Sequence, residues 1–249
     1  MINKEIKNKI NVLSNINKIT NTLSMISMSK MNKYYKYLFI LENLFIESKN
    51  IYSFVYNKKS YINCTIIITS NKGLCGNLNN EIIKKSLNFI KNKKIDIFLI
   101  GKKSIEYFSK KKIKIENKII FNDNEKISNI FFLKYILKKL INYKNIFFIN
   151  SKFNKKNEVV ITNLLEKKKN YFNIFNFNRK NFFFNFLNFS IKKFFIENFF
   201  CELKSRMITM KSASDNSKKI VKNMKIIKNK IRQFKVTQEM LEIINGIKL

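Results

Sequence analysis

A chain of 249 residues is long enough for one or two domains with a sizeable hydrophobic core. Its formal net charge at pH 7 is +34, and it contains no histidine, which excludes Ser-His and Cys-His nucleophile pairs and imidazole metal ligands. Its three cysteines lack the spacing of metal ligands, so we expect reduced thiols, no cofactor, no metal and no active site in this chain.

The charge itself has two interpretations. Lysine is spread along the whole chain together with much Ile, Asn and Phe, whereas arginine is confined to Arg179, Arg206 and Arg232, a pattern typical of AT-rich coding bias. The alternative is a polyanionic partner, either nucleic acid or an anionic membrane. No apolar stretch reaches the roughly 18 residues that a membrane-spanning helix needs, so we expect at most a peripheral protein.

The amino-terminal segment 1–60 predicts one long helix. It contains neither Gly nor Pro, and its apolar residues recur at steps of three and four, as in the seam of a coiled coil. The helix is expected to end near 57–60. Near Thr20, Ser24 and Ser27 the apolar pattern becomes small and polar. The predicted seam contains Ile6, Ile10, Leu13, Ile16, Ile19, Leu23, Ile26 and Met31.

The carboxyl-terminal segment 192–249 predicts a second long helix, with a plausible stop at Asn245-Gly246. Because the chain between the two helices leaves and returns, we expect the helices to pair antiparallel. The predicted near-heptad line on this helix contains Leu203, Met207, Met210, Ser214, Ser217, Val221, Met224, Ile231, Phe234, Gln238 and Leu241.

The middle of the chain, 61–191, predicts an α/β (Rossmann-like) domain. Apolar runs at 63–70, 95–101, 113–120, 144–151 and 158–166 indicate strands, and amphipathic segments at 79–92, 102–110 and 125–142 indicate helices. Alternation of this kind is typical of a mostly parallel sheet. The Phe-, Asn- and Lys-rich segment 167–191 is ambiguous.

The stretch "SNKGLCGNLN", 70–79, follows a strand and precedes a helix, the usual place of a phosphate-binding loop. It lacks the Lys and Ser/Thr that should follow the second glycine, and it has two glycines where a dinucleotide fingerprint has three. A reactive thiol at Cys75, activated by the helix amino end, is a further reading. We interpret Gly73 and Gly76 as residues of a tight structural turn with close backbone approach.

Four segments in the same order resemble the gamma subunit of F-type ATP synthases. The loop is similar to that family's S-(D/N)-(R/K)-G-L-C-G-x-x-N pattern, and "NKITNTLSMISMSKM" is similar to its amino-terminal helix, with Leu23 where the family usually has Met. "ENFFCELKSRMITMKSASDN" and "NKIRQFKVTQEMLEIING" resemble its carboxyl-terminal helix. The chain is shorter than is common for the family, with the deficit in 150–191.

The resemblance implies a central rotor shaft on the cytoplasmic face of the bacterial inner membrane. The implied partners are the alpha and beta subunits, the epsilon subunit and the c-ring, with no nucleic acid and with membrane association only through the complex. It also implies that one set of residues couples the shaft to the beta subunits. That set is Lys18, Thr20, Leu23, Arg232, Gln233, Thr237 and Glu239. The alternative function is a basic coiled-coil protein that binds nucleic acid.

Overall fold

The computed structural model describes residues 2–55, 62–91, 93–121, 133–153, 157–165 and 179–246. By its contacts the chain divides into two compact units: a helix-pair unit, Met1–Ser27 with Met207–Leu249, and an α/β unit, Met28–Arg206. Helices α1, Ile2–Val55, and α5, Arg179–Gly246, each contribute residues to both units.

The two long helices confirm the predicted fold class, but the start of the second helix differs from the prediction. Helix α5 begins at Arg179, several turns before the predicted start at 192. Its first turns are apolar on nearly every face, and such all-round burial hides the 3.6-residue period that marks a surface helix. The predicted end of the first helix at 57–60 lies outside the described residues, and the three-domain division stays a prediction.

The α/β unit is built on one five-stranded sheet in the order β3-β2-β1-β4-β5. Strands β1 to β4 run parallel, and β5 pairs antiparallel with β4. The strands are β1 Asn63–Ile68, β2 Ile95–Ile100, β3 Asn117–Ile119, β4 Asn145–Phe153 and β5 Asn157–Asn163.

Three shorter helices connect these strands: α2 Leu78–Ile90, α3 Lys102–Lys110 and α4 Leu133–Leu140. They fall within two residues of the segments predicted as helices: α2 starts one position early and ends at 90 instead of 92, and α4 ends at 140 instead of 142. Positions 125–132 of the third prediction lie outside the described residues. The alternation of strand and helix therefore produces the predicted parallel sheet, with an antiparallel strand at one edge.

The sheet separates two hydrophobic cores. On one face, Ile67, Ile82, Leu99 and Phe108 pack between the sheet and helices α2 and α3. On the other face, residues of α1, α4 and α5 pack against strand side chains, and Phe148 stacks on Phe194 with ring centroids 4.3 Å apart. The α/β unit is thus a three-layer structure in which α5 forms part of one outer layer.

Candidate functional site

In the helix-pair unit, α1 and α5 run antiparallel, as predicted. Ser24 Oγ donates to the carbonyl oxygen of Met207 at 3.2 Å, and Ser214 Oγ donates to Asn17 Oδ1 at 2.6 Å. These two contacts share one register, which sets Ile2 level with about residue 229 of α5. Helix α5 therefore continues beyond the amino end of α1, up to Gly246.

The seam on α1 agrees with the predicted one only in part, since five of its eight residues are half-buried: Ile6, Ile10, Leu13, Leu23 and Met31. Ile16, Ile19 and Ile26 are 43%, 59% and 48% exposed, whereas Ser24 and Ser27 are buried. The predicted break in the apolar pattern is thus the packing surface itself, because small side chains let two helix backbones approach closely. Ser27 also satisfies its hydroxyl within its own helix, by donating to the carbonyl oxygen of Leu23 at 2.8 Å.

On α5 the predicted line is confirmed through much of its length. Met210, Ser214 and Ser217 are buried, and Val221, Met224 and Ile231 are half-buried. From Arg232 to Gly246 every side chain is exposed, including Phe234 at 69%. The predicted seam positions Phe234, Gln238 and Leu241 therefore have no partner helix within the described part of the chain.

The predicted coupling residues fall into two places on the helix pair. Arg232, Gln233, Thr237 and Glu239 are all exposed on the part of α5 that continues past α1, and Thr237 Oγ1 donates to the carbonyl oxygen of Gln233 at 3.0 Å. On α1, Lys18 is exposed, whereas Thr20 and Leu23 are half-buried.

In the α/β unit, the loop between β1 and α2 is held by its own side chains. Asn79 Nδ2 donates to Ser70 Oγ at 2.7 Å and to Cys75 Sγ at 3.1 Å, while the backbone N–H of Ser70 donates to Asn79 Oδ1 at 3.1 Å. Cys75 is 1% exposed, and burial raises the pKa of its thiol. A neutral, buried thiol is a poor nucleophile, which argues against the thiol-enzyme reading.

The two glycines of this loop have different conformations. Gly76 has φ of 62°, in the left-handed region that favours glycine. At Gly73 an added Cβ would meet no atom within 4 Å, so the expected close backbone approach is not found there. Instead, the neighbouring non-glycine residue Leu74 adopts the left-handed conformation, with φ of 64°.

Helix α5 contacts this loop through two side chains. Ser205 Oγ donates to the carbonyl oxygen of Cys75 at 2.7 Å, and the Arg206 guanidinium donates to the carbonyl oxygen of Gly73 at 3.3 Å. Arg206 is also ion-paired with Glu202, whose side chain is 4% exposed. These accepting carbonyls belong to the peptide groups that precede Leu74 and Gly76, so the two left-handed residues orient them.

The same helix reaches the end of β4. The hydroxyl and backbone N–H of Ser151 both donate to Asn198 Oδ1, at 2.9 and 3.1 Å. The carboxyl ends of β1 and β4 form the point where strand order reverses, and doubly wound proteins usually bind ligands in the crevice there. Here α5 occupies that crevice, so the glycine loop contacts the chain's own helix.

Sequence reasoning missed two features of the α/β unit. Gly101 has φ of 103°, and an added Cβ would lie 2.1 Å from the carbonyl oxygen of Thr69; a glycine directly after an apolar strand was the available signal. Lys193 and Glu197 form a buried ion pair of 2.9 Å inside α5. Their i, i+4 spacing was visible, but their burial was not.

No group of three or more His, Cys, Asp or Glu side chains in the described ranges could hold a metal ion. None of the helices, as far as they are described, is both long and apolar enough to cross a membrane.

Comparison with known proteins defines the class of this fold. The family model described as ATP synthase matches residues 3–248. The ATP synthase gamma chain of Buchnera aphidicola subsp. Schlechtendalia chinensis is 33% identical over 280 residues, which cover 98% of this chain and 96% of that one. The gamma chain of Buchnera aphidicola subsp. Melaphis rhois is 32% identical over the same shares. The chain therefore belongs to the ATP synthase gamma chain family.

Solved structures share the fold. A chain of the Euglena gracilis mitochondrial ATP synthase, in an assembly of OSCP, F1 and c-ring in rotational state 3, superposes with a TM-score of 0.78 at 16% identity, covering 99% of this chain and 94% of its own. A chain of the Tetrahymena thermophila mitochondrial ATP synthase, from its central stalk and c-ring, has a TM-score of 0.64 at 19% identity, covering 79% of this chain and 99% of its own.

Proposed function

We propose that this chain is the rotating central stalk of an ATP synthase and transmits rotation between a membrane c-ring and a head of alpha and beta subunits. The observation that carries the proposal is family membership over 98% of the chain, together with a pair of long antiparallel helices. Relatives named ATP synthase gamma chain match 98% of this chain and 96% of their own length.

The exposed surface of the helix-pair unit supports a surrounding partner. Apolar side chains on both helices face away from the seam, and soluble surfaces rarely carry so many unless a partner covers them. On α1 they are Val12, Ile16, Ile19, Met25 and Ile26; on α5 they are Ile208, Ile220, Ile226, Ile227, Phe234, Val236, Met240, Leu241, Ile243 and Ile244.

In this proposal the alpha and beta subunits surround the helix pair, and the epsilon subunit and the c-ring bind the α/β unit. The complex lies at the cytoplasmic face of a bacterial inner membrane, where the chain is a peripheral subunit. Two Buchnera gamma chains, 33% and 32% identical to this chain, support the bacterial assignment.

Rotation acts through differential contact. Two helices with different exposed side chains present a different face to each of several equivalent catalytic sites, and each orientation shifts the open and closed populations of those sites. A shift from about 1:99 to 99:1 needs roughly 5.5 kcal/mol of differential binding. Several contacts of modest strength on the helix pair can together supply that amount.

We assign the coupling contacts to two groups of residues. Arg232, Gln233, Thr237 and Glu239 lie on the exposed end of α5, where the Arg232 guanidinium offers a planar pair of donors to a carboxylate. Lys18, Thr20 and Leu23 are the corresponding group on α1. A charge-assisted hydrogen bond that forms in one rotary position and breaks in the next contributes about 1.5–3 kcal/mol.

The test is assembly and coupled activity. A tagged copy of the chain should replace the gamma subunit in a bacterial strain that lacks its own, co-purify with alpha and beta subunits, and restore ATP-driven ion pumping in membrane vesicles. The matched control is the same chain ending at Lys230, which keeps the paired part of α5 and removes its exposed end. Failure of the full chain to recover alpha and beta subunits would refute the proposal.

A further inference from the structure

One edge of the sheet carries a concentration of lysine. Strands β1, β2 and β4 begin level with each other, because Asn63 pairs with both Ile95 and Asn145. Strand β3 runs parallel beside β2. The segments that enter β2, β3 and β4 therefore lie side by side at the amino edge of the parallel strands, across roughly 15 Å at the usual strand spacing.

These three segments are 91–94, 110–116 and 138–144, and more than half of their positions are lysine. Lysine and arginine together account for 50 of the 249 residues of the chain, so an even coding bias does not explain this concentration. We call the exposed members the basic edge. They are Lys91, Lys93, Lys94, Lys110, Lys111, Lys112, Lys114, Lys138 and Lys144.

Helix dipoles account for only part of the basic edge. Lys91, Lys110 and Lys138 lie at the carboxyl ends of helices, where a cation is favourable. Lys94, Lys114 and other members follow the helix ends and lead into strands, beyond the last turn to which that effect is confined.

The acids beside the basic edge are already engaged. Asp96 accepts a hydrogen bond from Tyr143 Oη at 2.8 Å, and Glu116 pairs with Lys139 at 3.4 Å. Within the described ranges, none of the lysines of the basic edge forms an ion pair with an acid. The edge is therefore a surface of uncompensated positive charge.

We propose that the basic edge binds anionic phospholipid headgroups of the membrane that carries the complex. This proposal rests on the proposed function, which brings the chain to a membrane surface. A row of lysine ammonium groups suits a plane of phosphates, and juxtamembrane lysine clusters are attracted to anionic leaflets within about a Debye length.

The composition of the edge favours lipid over single-stranded nucleic acid. Single-stranded nucleic acid binds where exposed aromatic rings interleave with basic groups. The rings nearest the edge are covered, since Phe89 is half-buried with Lys93 Nζ 3.9 Å from its centroid and Tyr143 is 8% exposed. The exposed apolar side chain here is aliphatic: it belongs to Ile62, which is 57% exposed and whose carbonyl oxygen accepts a hydrogen bond from the backbone N–H of Lys144 at 2.7 Å.

The test compares two variants of equal charge. The edge variant carries Lys93→Gln, Lys94→Gln, Lys111→Gln and Lys114→Gln; the control variant carries Lys211→Gln, Lys219→Gln, Lys222→Gln and Lys225→Gln, all exposed lysines of α5. Binding of the full chain is measured by co-sedimentation with phosphatidylcholine vesicles, with and without about a quarter phosphatidylglycerol. Every substituted position is exposed, so both variants should fold.

We expect wild type to bind the phosphatidylglycerol vesicles in a salt-sensitive manner, the edge variant to bind at least about tenfold more weakly, and the control variant to stay within about twofold of wild type. Equal losses in both variants would show that diffuse charge is responsible and would overturn the proposal. A short DNA duplex serves as the second ligand, and tighter binding to it that depends on the edge lysines would overturn the lipid assignment. These outcomes leave co-purification with alpha and beta subunits untouched, so failure here is distinct from failure of the proposed function.

Discussion

Glycines that look equivalent in the sequence have different physical requirements. Gly73 and Gly76 share one loop, yet only Gly76 is left-handed, and the more crowded glycine is Gly101, at the end of β2. A sequence marks where a glycine occurs but not which backbone atom lies next to it. That is why the loop residues could be predicted as a turn while the contact of Gly101 with Thr69 could not.

At the residue scale, Gly101→Ala should destabilise the α/β unit strongly. Its Cβ would overlap the carbonyl oxygen of Thr69, and its φ of 103° is unfavourable for alanine, so we expect a loss of at least about 3 kcal/mol. Gly73→Ala is the matched control and should cost less than about 0.5 kcal/mol. Urea unfolding of the full chain measures both, and equal losses would contradict the assignment.

Gly76→Val should also destabilise, by about 1–3 kcal/mol, because a β-branched residue must adopt a left-handed conformation. The same urea titration applies. A variant as stable as wild type would show that the loop accepts another backbone conformation without loss.

Cys201 contributes a pH dependence to stability. Burial raises the pKa of its thiol from 9.0 to about 12. A raised folded-state pKa means that the neutral thiol stabilises the fold fully below pH 9 and that this contribution is lost as pH rises from 9 toward 12. Its slope is at most about 1.4 kcal/mol per pH unit. Stability measured between pH 8 and 10.5 should fall less steeply for Cys201→Ala; identical slopes would contradict this.

At the scale of the element, α5 contains an ion pair where a core helix would normally be apolar. Lys193 and Glu197 are 6% and 3% exposed, Asn150 Nδ2 lies 3.4 Å from the Glu197 carboxylate, and Lys193 Nζ lies 4.7 Å from the Phe194 ring centroid. Buried pairs are costly to break but easy to replace as a whole, because removing one partner leaves an uncompensated charge.

We therefore expect Glu197→Leu to cost about 3–5 kcal/mol, and the double variant Lys193→Met, Glu197→Leu to recover most of that loss. Denaturant unfolding of the two single variants and the double variant completes the cycle. Glu106→Leu, which breaks exposed pairs with Lys102 and Lys103, is the control and should cost under about 0.5 kcal/mol. If the stability losses of the two single variants simply added in the double variant, that result would contradict an energetic coupling between Lys193 and Glu197.

The elements themselves were largely predictable from the sequence, with two instructive errors. The start of α5 was missed because apolar side chains on all but a narrow asparagine face obscure the helical period, as in "NFFFNFLNFSIKKFF". The middle of the α1 seam was misplaced because Asn17, Ser24 and Ser27 pack inward there, while three of the predicted seam isoleucines are exposed: Ile16, Ile19 and Ile26. In both places burial depends on the neighbouring helix, which a single-sequence pattern does not contain.

At the scale of the whole molecule, the exposed end of α5 is where the proposed role is most directly tested. The sequence predicted Arg232 and Gln233 through a family resemblance, and both are exposed beyond the paired part of α1. In the proposed role their surroundings come from other subunits, so the chain alone defines their position and not their contacts.

The double variant Arg232→Ala, Gln233→Ala should leave the chain as stable as wild type, because neither side chain is buried. We expect it to lower ATP turnover or assembly of the complex, by about tenfold or more if one charge-assisted bond is lost. Arg232→Lys should recover activity only in part, since an ammonium cannot replace the planar guanidinium. Normal turnover and assembly in the double variant would return both residues to a solvated helix face.

The position of α5 across the crevice between β1 and β4 has a consequence for control of the machine. A doubly wound sheet with an open crevice could sense the cellular ratio of ATP to ADP directly, by binding one of them. With Ser205 and Asn198 bonded to the loop and strand that border the crevice, we expect the isolated chain to bind neither ATP nor ADP there. In the proposed rotor role, the nucleotide ratio would then reach this chain through its neighbouring subunits, as a change in the force that they exert on it.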